Sequence, residues 1–151
     1  RGMKMENGVF RVLKKKPGKS IESVKVEATY LSDVGEALLG RKVTIERIPM
    51  NSEKTMWILI DEDGLGKDLP LNFLIPTISP YFPIQKIVGT AVFVCSKYSD
   101  IFAEEIYDYE VCDLSNQLER IAHLILSDDI QQSLSKNFTD YGKDAIIVQP
   151  L

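Results

Sequence analysis

The chain holds one histidine, two cysteines and one tryptophan in 151 residues, and each scarcity closes a class of function. A single imidazole, His123, excludes a multi-histidine metal centre and leaves acid–base chemistry to one ring or to carboxylates. Its helical position lies off the local apolar stripe, which reads as a surface histidine. Cys95 and Cys112 belong to no Cys-x-x-Cys pair and cannot make a disulfide framework, so both read as reduced, half-buried thiols. Long hydrophobic runs are missing as well. The longest, Trp57-Ile58-Leu59-Ile60 and residues 91–95, fall far below the roughly 20 residues of a membrane helix, and no N-terminal stretch reads as a secretory signal. These absences predict a cytoplasmic chain with no membrane contact, no metal and no cofactor. The sequon Asn137-Phe138-Thr139 is accordingly read as a helix end, and Arg1-Gly2 before Met3 as a cloning scar.

What is present suffices for a core. Hydrophobic residues make up 44% and charged residues 26%, a balance that excludes disordered and collagen-like chains and predicts one domain over residues 1–151. Charge is unevenly distributed. Residues 1–50 carry eleven basic and six acidic side chains, and the remainder seven and sixteen. The only basic run, Lys14, Lys15, Lys16 and Lys19 around Pro17-Gly18, reads as a solvated hairpin tip more readily than as a phosphate contact, so nucleic acid is not the expected partner.

Periodicity predicts the elements. Residues 9–13 and 21–26 flank the Pro17-Gly18 turn as a hairpin. A short helix is expected over 33–39, capped by Ser32 and stopped at Gly40. Residues 41–49 alternate as a strand with one wet face, and 54–61 supply its antiparallel neighbour. Four prolines between 69 and 83 predict an irregular wrap. Residues 84–95 read as one central strand and 105–111 as another. Two helices are expected near the C-terminus: one capped by Ser115 and ending near Leu126, the other starting at Ser127-Asp128-Asp129 with Ile130 and Leu134 buried. The resulting class is α+β, a mostly antiparallel sheet with two to three short helices.

Few residues carry chemistry. Asp61, Asp63 and Gly66 match part of a calcium loop, but Leu65 and Asn72 stand where two essential oxygens belong, so Asp61, Asp63 and Gly64 read as a tight turn. The carboxylates Asp100, Glu104, Glu105, Asp108, Glu110 and Asp113 lie together, with no Lys or Arg between Lys97 and Arg120. On a strand, Asp108 and Glu110 share one face and Tyr107 and Tyr109 the other, which predicts an outward acidic face that attracts a basic protein surface.

Several segments together resemble the domain-of-unknown-function family 3846. They are Leu39-Gly40-Arg41 leading into Ile45-Glu46-Arg47-Ile48-Pro49, then Asp61-Glu62-Asp63-Gly64, Leu69-Pro70-Leu71-Asn72, Ile87-x-Gly89-Thr90-Ala91-Val92-Phe93-Val94, and Asp113-Leu114. The resemblance spans roughly residues 22–127 and leaves 128–151 as a tail peculiar to this chain. It implies a protein of phages, mobile elements and bacterial chromosomes, with no established reaction. The expectation is a non-enzymatic binding or accessory protein that engages a host defence or DNA-handling factor through its acidic face. The alternative is a small-molecule or nucleotide-binding module, conceivably a weak enzyme, with residues 69–83 as its lid. Asn72, after Leu-Pro-Leu, is expected to fix a loop by bonding backbone groups rather than to hold a ligand.

Overall fold

The structure, a computed structural model, describes residues 8–50, 55–76, 84–97, 105–107 and 127–139. Pro17-Gly18 turns β1 (Gly8–Lys15) into β2 (Glu22–Ala28), with Gly18 at φ 71 and the Lys19 N–H donating to Lys16 O at 3.0 Å. Helix α1 (Leu31–Leu39) follows, then β3 (Ile45–Pro49), β4 (Met56–Asp61), β5 (Leu71–Pro76), β6 (Ile84–Val88), β7 (Ala91–Lys97), β8 (Glu105–Tyr107) and α2 (Asp128–Thr139). The main sheet runs β2-β1-β7-β4-β3, and β5 and β6 form a separate two-stranded sheet. All pairings among the described residues are antiparallel. One edge of β7 is shared, because Ala91–Phe93 pair with β1 and Cys95–Lys97 with β8. The class is α+β with a mostly antiparallel sheet.

Strands β4 and β7 run through the middle of the sheet, and every described side chain on them is buried. Continuous apolar sequence is what a strand covered on both faces requires. On one face, Trp57, Leu59, Val92 and Val94 pack under Leu31 and Val34 of α1. On the other, Ile58, Ile60 and Phe93 meet Phe73 and Ile87 of the small sheet and Leu134 of α2. Phe73 and Phe93 stack at 6.1 Å between ring centroids, 14° from parallel. Each such side chain contributes about 1.5–3 kcal/mol by leaving water.

Several boundaries differ from the sequence reading. Helix α1 starts at Leu31 rather than after a Ser32 cap. Tyr30 is extended there, and the Asp33 carboxylate accepts the N–H groups of Thr29 and Tyr30, both at 2.9 Å. An acid in the first turn thus ties down the chain entering the helix. The first part of the proline-rich stretch is strand β5 and not an irregular wrap, since its prolines stand at the strand's end and just before its start. The expected single strand over 84–95 is two, broken at Gly89, whose φ of 71 suits glycine. Cys95 is buried and disulfide-bonded, which overturns its reading as a free thiol. Cys112, the chain's other cysteine, lies outside the described residues, as do His123 and the expected helix over 115–126.

Candidate functional site

Two buried charged residues, Lys15 and Asp61, lie where β1, β4 and β7 meet the turns at one end of the sheet. Strand alternation places Lys15 on the same face as Leu13, toward the small sheet, and only 3% of it is exposed. Its amine donates to Asn72 Oδ1 at 2.6 Å, reaches Lys16 O at 3.4 Å and stands 5.8 Å from the centre of the Phe73 ring. Burial pushes the Lys15 pKa below the usual lysine range. Asn72 completes the knot by donating through Nδ2 to Lys15 O and Gly89 O, both at 2.8 Å. It sits at the bulge where the β5–β6 register shifts between Leu71 and Phe73. The extra residue of a bulge is left out of the ladder and re-aims its side chain, and here that side chain binds β1 to the β6–β7 corner.

In front of this knot, the turn after β4 is wound around Asp61. One carboxylate oxygen accepts the Asp63 N–H at 2.9 Å, and the other holds the Lys67 ammonium at 2.8 Å. Burial would raise the Asp61 pKa, but the Lys67 hydrogen bond, the Asp63 N–H and the Lys67 charge together outweigh it and leave the carboxyl below its usual range. Gly64 N–H donates to Asp61 O, Leu69 N–H donates to Gly64 O, and Asp68 takes the left-handed conformation at φ 53. A Cβ on Gly89 would stand 2.8 Å from Leu69 Cδ1, so that corner closes tightly on the turn.

A cleft of about 410 Å³ opens between these parts. Its apolar wall comes from Pro17, Leu38, Leu39, Leu69 and Pro70, and its polar side from Asp61, Lys67 and Thr90. The Lys67 side chain is 47% exposed and that of Asp61 only 10%, so the carboxylate anchors an ammonium that faces solvent. Both Asp61 oxygens are engaged in the turn. Among the described residues, no group of three His, Cys, Asp or Glu comes together to hold a metal.

Of the loop residues singled out in the sequence, Asp61, Asp63 and Gly64 share this turn, and Asn72 lies behind it through Gly89. Asp100, Glu104, Asp108, Glu110 and Asp113 lie outside the described residues, and Glu105 is placed only by its backbone in β8. Ile106, on the even-numbered face expected to point outward, is buried against the α1 side of the core. The basic run is split, correcting its reading as a solvated tip. Lys16 and Lys19 are exposed and Lys14 lies 4.0 Å from Glu22, but Lys15 is inside. The signal for Lys15 was its parity with Leu13; its charge argued the other way. Comparison of the chain with protein-family models, with curated proteins and with solved structures finds no match. Among the described residues, no helix is long and apolar enough to cross a membrane.

Proposed function

We propose that the protein is a non-enzymatic binding module, of the phage or mobile-element kind that the family resemblance implies, and that the cleft in front of the Asp61–Lys67 pair takes a small ligand. One observation carries this reading: an apolar-walled recess bordered by a half-exposed ammonium that a buried carboxylate holds in place. Concave sites with mostly apolar walls and a few fixed polar groups are how small molecules are held. The chemistry fits a ligand with an apolar body and one anionic group, nucleotides included. Leu69 and Pro70 form one wall, Leu71–Pro76 is held in the small sheet, and residues 77–83 lie outside the described residues, so within the described part of 69–83 the lid reading rests on Leu69 and Pro70.

The test is a thermal-shift panel of nucleotides, small apolar carboxylates and their uncharged amides. A true ligand raises the melting midpoint with concentration by mass action, and Lys67→Met should abolish the shift. A panel without any shift, or an equal shift in the variant, would remove the cleft from consideration.

A second reading rests on charge: six carboxylates from Asp100 to Asp113 with no basic residue between Lys97 and Arg120. An uncompensated acidic surface steers a basic partner and does so less at high salt. Pull-down from host lysate at two salt concentrations, with wild type and the Asp108→Asn/Glu110→Gln variant, tests it. Identical recovery of every partner would reduce the run to a solvated surface.

A further inference from the structure

The outer edge of β3 and the flank of α1 enclose a second groove, of about 400 Å³, away from the Asp61–Lys67 cleft. Among the described residues β3 is an outer strand that pairs only with β4. Two bonds fix which way its backbone points. Met50 N–H donates to Met56 O at 2.8 Å, and Glu62 N–H donates to Thr44 O at 2.8 Å. Even-numbered residues therefore face β4, and the odd-numbered Ile45, Arg47 and Pro49 turn their backbone outward. Pro49 agrees with this parity, because a residue without an N–H is tolerated where that group would face away from the sheet.

On the α1 side of this edge, Leu31, Val43 and Ile45 give the groove an apolar lining, and Arg41 stands at its Gly40 end. Helix and strand are fixed close together there, since a Cβ on Gly35 would lie 2.7 Å from Ile45 Cγ1. The Arg41 side chain is 88% exposed, and its contact with Glu36 is long, 3.7 Å between two exposed groups. Lys42 beside it is exposed too. Such an arginine keeps most of its charge available to a partner.

We propose that this groove binds an extended acidic peptide from a partner protein, added antiparallel to β3 as an extra strand. The antiparallel direction brings the peptide's C-terminal end to Arg41 and Lys42, where a glutamate side chain and the terminal carboxylate meet the two cations. Strand addition supplies main-chain bonds at Ile45, and alternate side chains entering the groove supply selectivity. The positive mouth selects an acidic peptide over a basic one.

The probe is a fluorescently labelled peptide ending Val-Thr-Val-Thr-Glu, which places its two valines and its glutamate on one face. Binding is read by anisotropy, and its place by amide chemical-shift changes. The expected result is saturable binding with shifts centred on residues 43–47. Ile45→Pro removes the outward N–H and should weaken binding by about tenfold or more, the equivalent of one lost hydrogen bond in a partly buried place. Arg41→Glu, an exposed change that leaves the core untouched, should weaken it by about fivefold or more and reverse its salt dependence. A peptide with Lys for Glu and an amidated end should not bind. Several results would overturn the proposal: equal binding of the basic peptide, undiminished binding by Arg41→Glu, no binding at millimolar peptide, or self-association of the free protein through the same residues.

Discussion

The two faces of the sheet are closed by different means. Under α1 the contact is almost wholly apolar, and helix and sheet approach closely at Gly35. On the opposite face the same strands are covered by an apolar stack whose margins are tied by named polar bonds: Asn72 to β1 and Gly89, and Gln131 of α2 to β5. The Gln131 amide accepts from Leu74 N–H at 2.7 Å and donates to Leu74 O at 3.0 Å, the pair of bonds a neighbouring strand would make. A helix covers a strand edge without leaving its backbone groups unmet only if it brings such a side chain. One face thus depends on volume and the other on hydrogen-bond satisfaction, and substitutions separate the two.

The largest effect is expected at Asn72. Asn72→Ala takes the side-chain donor from Lys15 O and Gly89 O, leaves the Lys15 ammonium only its longer contact with Lys16 O, and should cost about 2–4 kcal/mol, read as a lower denaturation midpoint with unchanged slope. On the α1 face, Val34→Ala removes only two methyl groups, and about 1.5–2 kcal/mol is expected. If Val34→Ala costs more than Asn72→Ala, the contrast between the faces is wrong.

The disulfide at Cys95 comes next. Cys95 lies in β7, its register partners being Met56 on one side and Tyr107 on the other. Reduction should lower stability by about 2–4 kcal/mol, seen as a lower melting midpoint in reductant. Persisting disulfides are rare in the cytosol, so the bond also weighs against the cytoplasmic location expected from the sequence. A midpoint indifferent to reductant would restore the free-thiol reading.

Gln131→Ala tests the surrogate-strand contact with a smaller change. Two bonds to partly buried backbone are lost, and water can reach some of the vacated space, so about 1–2 kcal/mol is expected. Hydrogen exchange should show the Leu74 amide losing protection while Ile58 and Phe93 keep theirs. Equal loss at all three would mean that α2 contributes to the whole fold rather than to the β5 edge.

These contrasts also explain what the sequence disclosed. Strands β4 and β7 were legible because both faces are buried and the apolar run is continuous, and the β1–β2 hairpin because Pro17-Gly18 supplies its turn. Strand β5 was hidden by Pro70 and Pro76, which interrupt a helix or central strand but stand harmlessly at the ends of a short one. The break at Gly89 was hidden because β-branched residues continue on both sides of it. For the site, Asp61, Asp63 and Gly64 were legible as a turn, since acid and glycine residues there have local work to do. Lys15 was not, because only long-range pairing shows that the parity of Leu13 continues inward through a lysine. The bond partners of Asn72 are 57 and 17 residues away, a distance at which local pattern carries no information.

The smallest effect belongs to Lys15 and has a definite sign with pH. Burial lowers its pKa in the folded chain, so between that value and the ordinary lysine range the unfolded chain holds more protons, and stability contributed by this group rises with pH. Below the folded value the cost of burying the ammonium is fully present and constant. Lys15→Met keeps the apolar stem against Phe73 and removes this cost, but it also leaves Asn72 Oδ1 without its donor. The two changes oppose one another, and a net effect within about 1 kcal/mol is expected at neutral pH. As pH rises through the folded pKa the wild type recovers what the variant had already gained, so the variant must become less stable relative to wild type. Melting midpoints of both proteins from neutral to alkaline pH measure the difference. A relative gain by Lys15→Met at high pH, or a loss as large as that of Asn72→Ala at neutral pH, would show that the ammonium holds the knot together rather than being held by it.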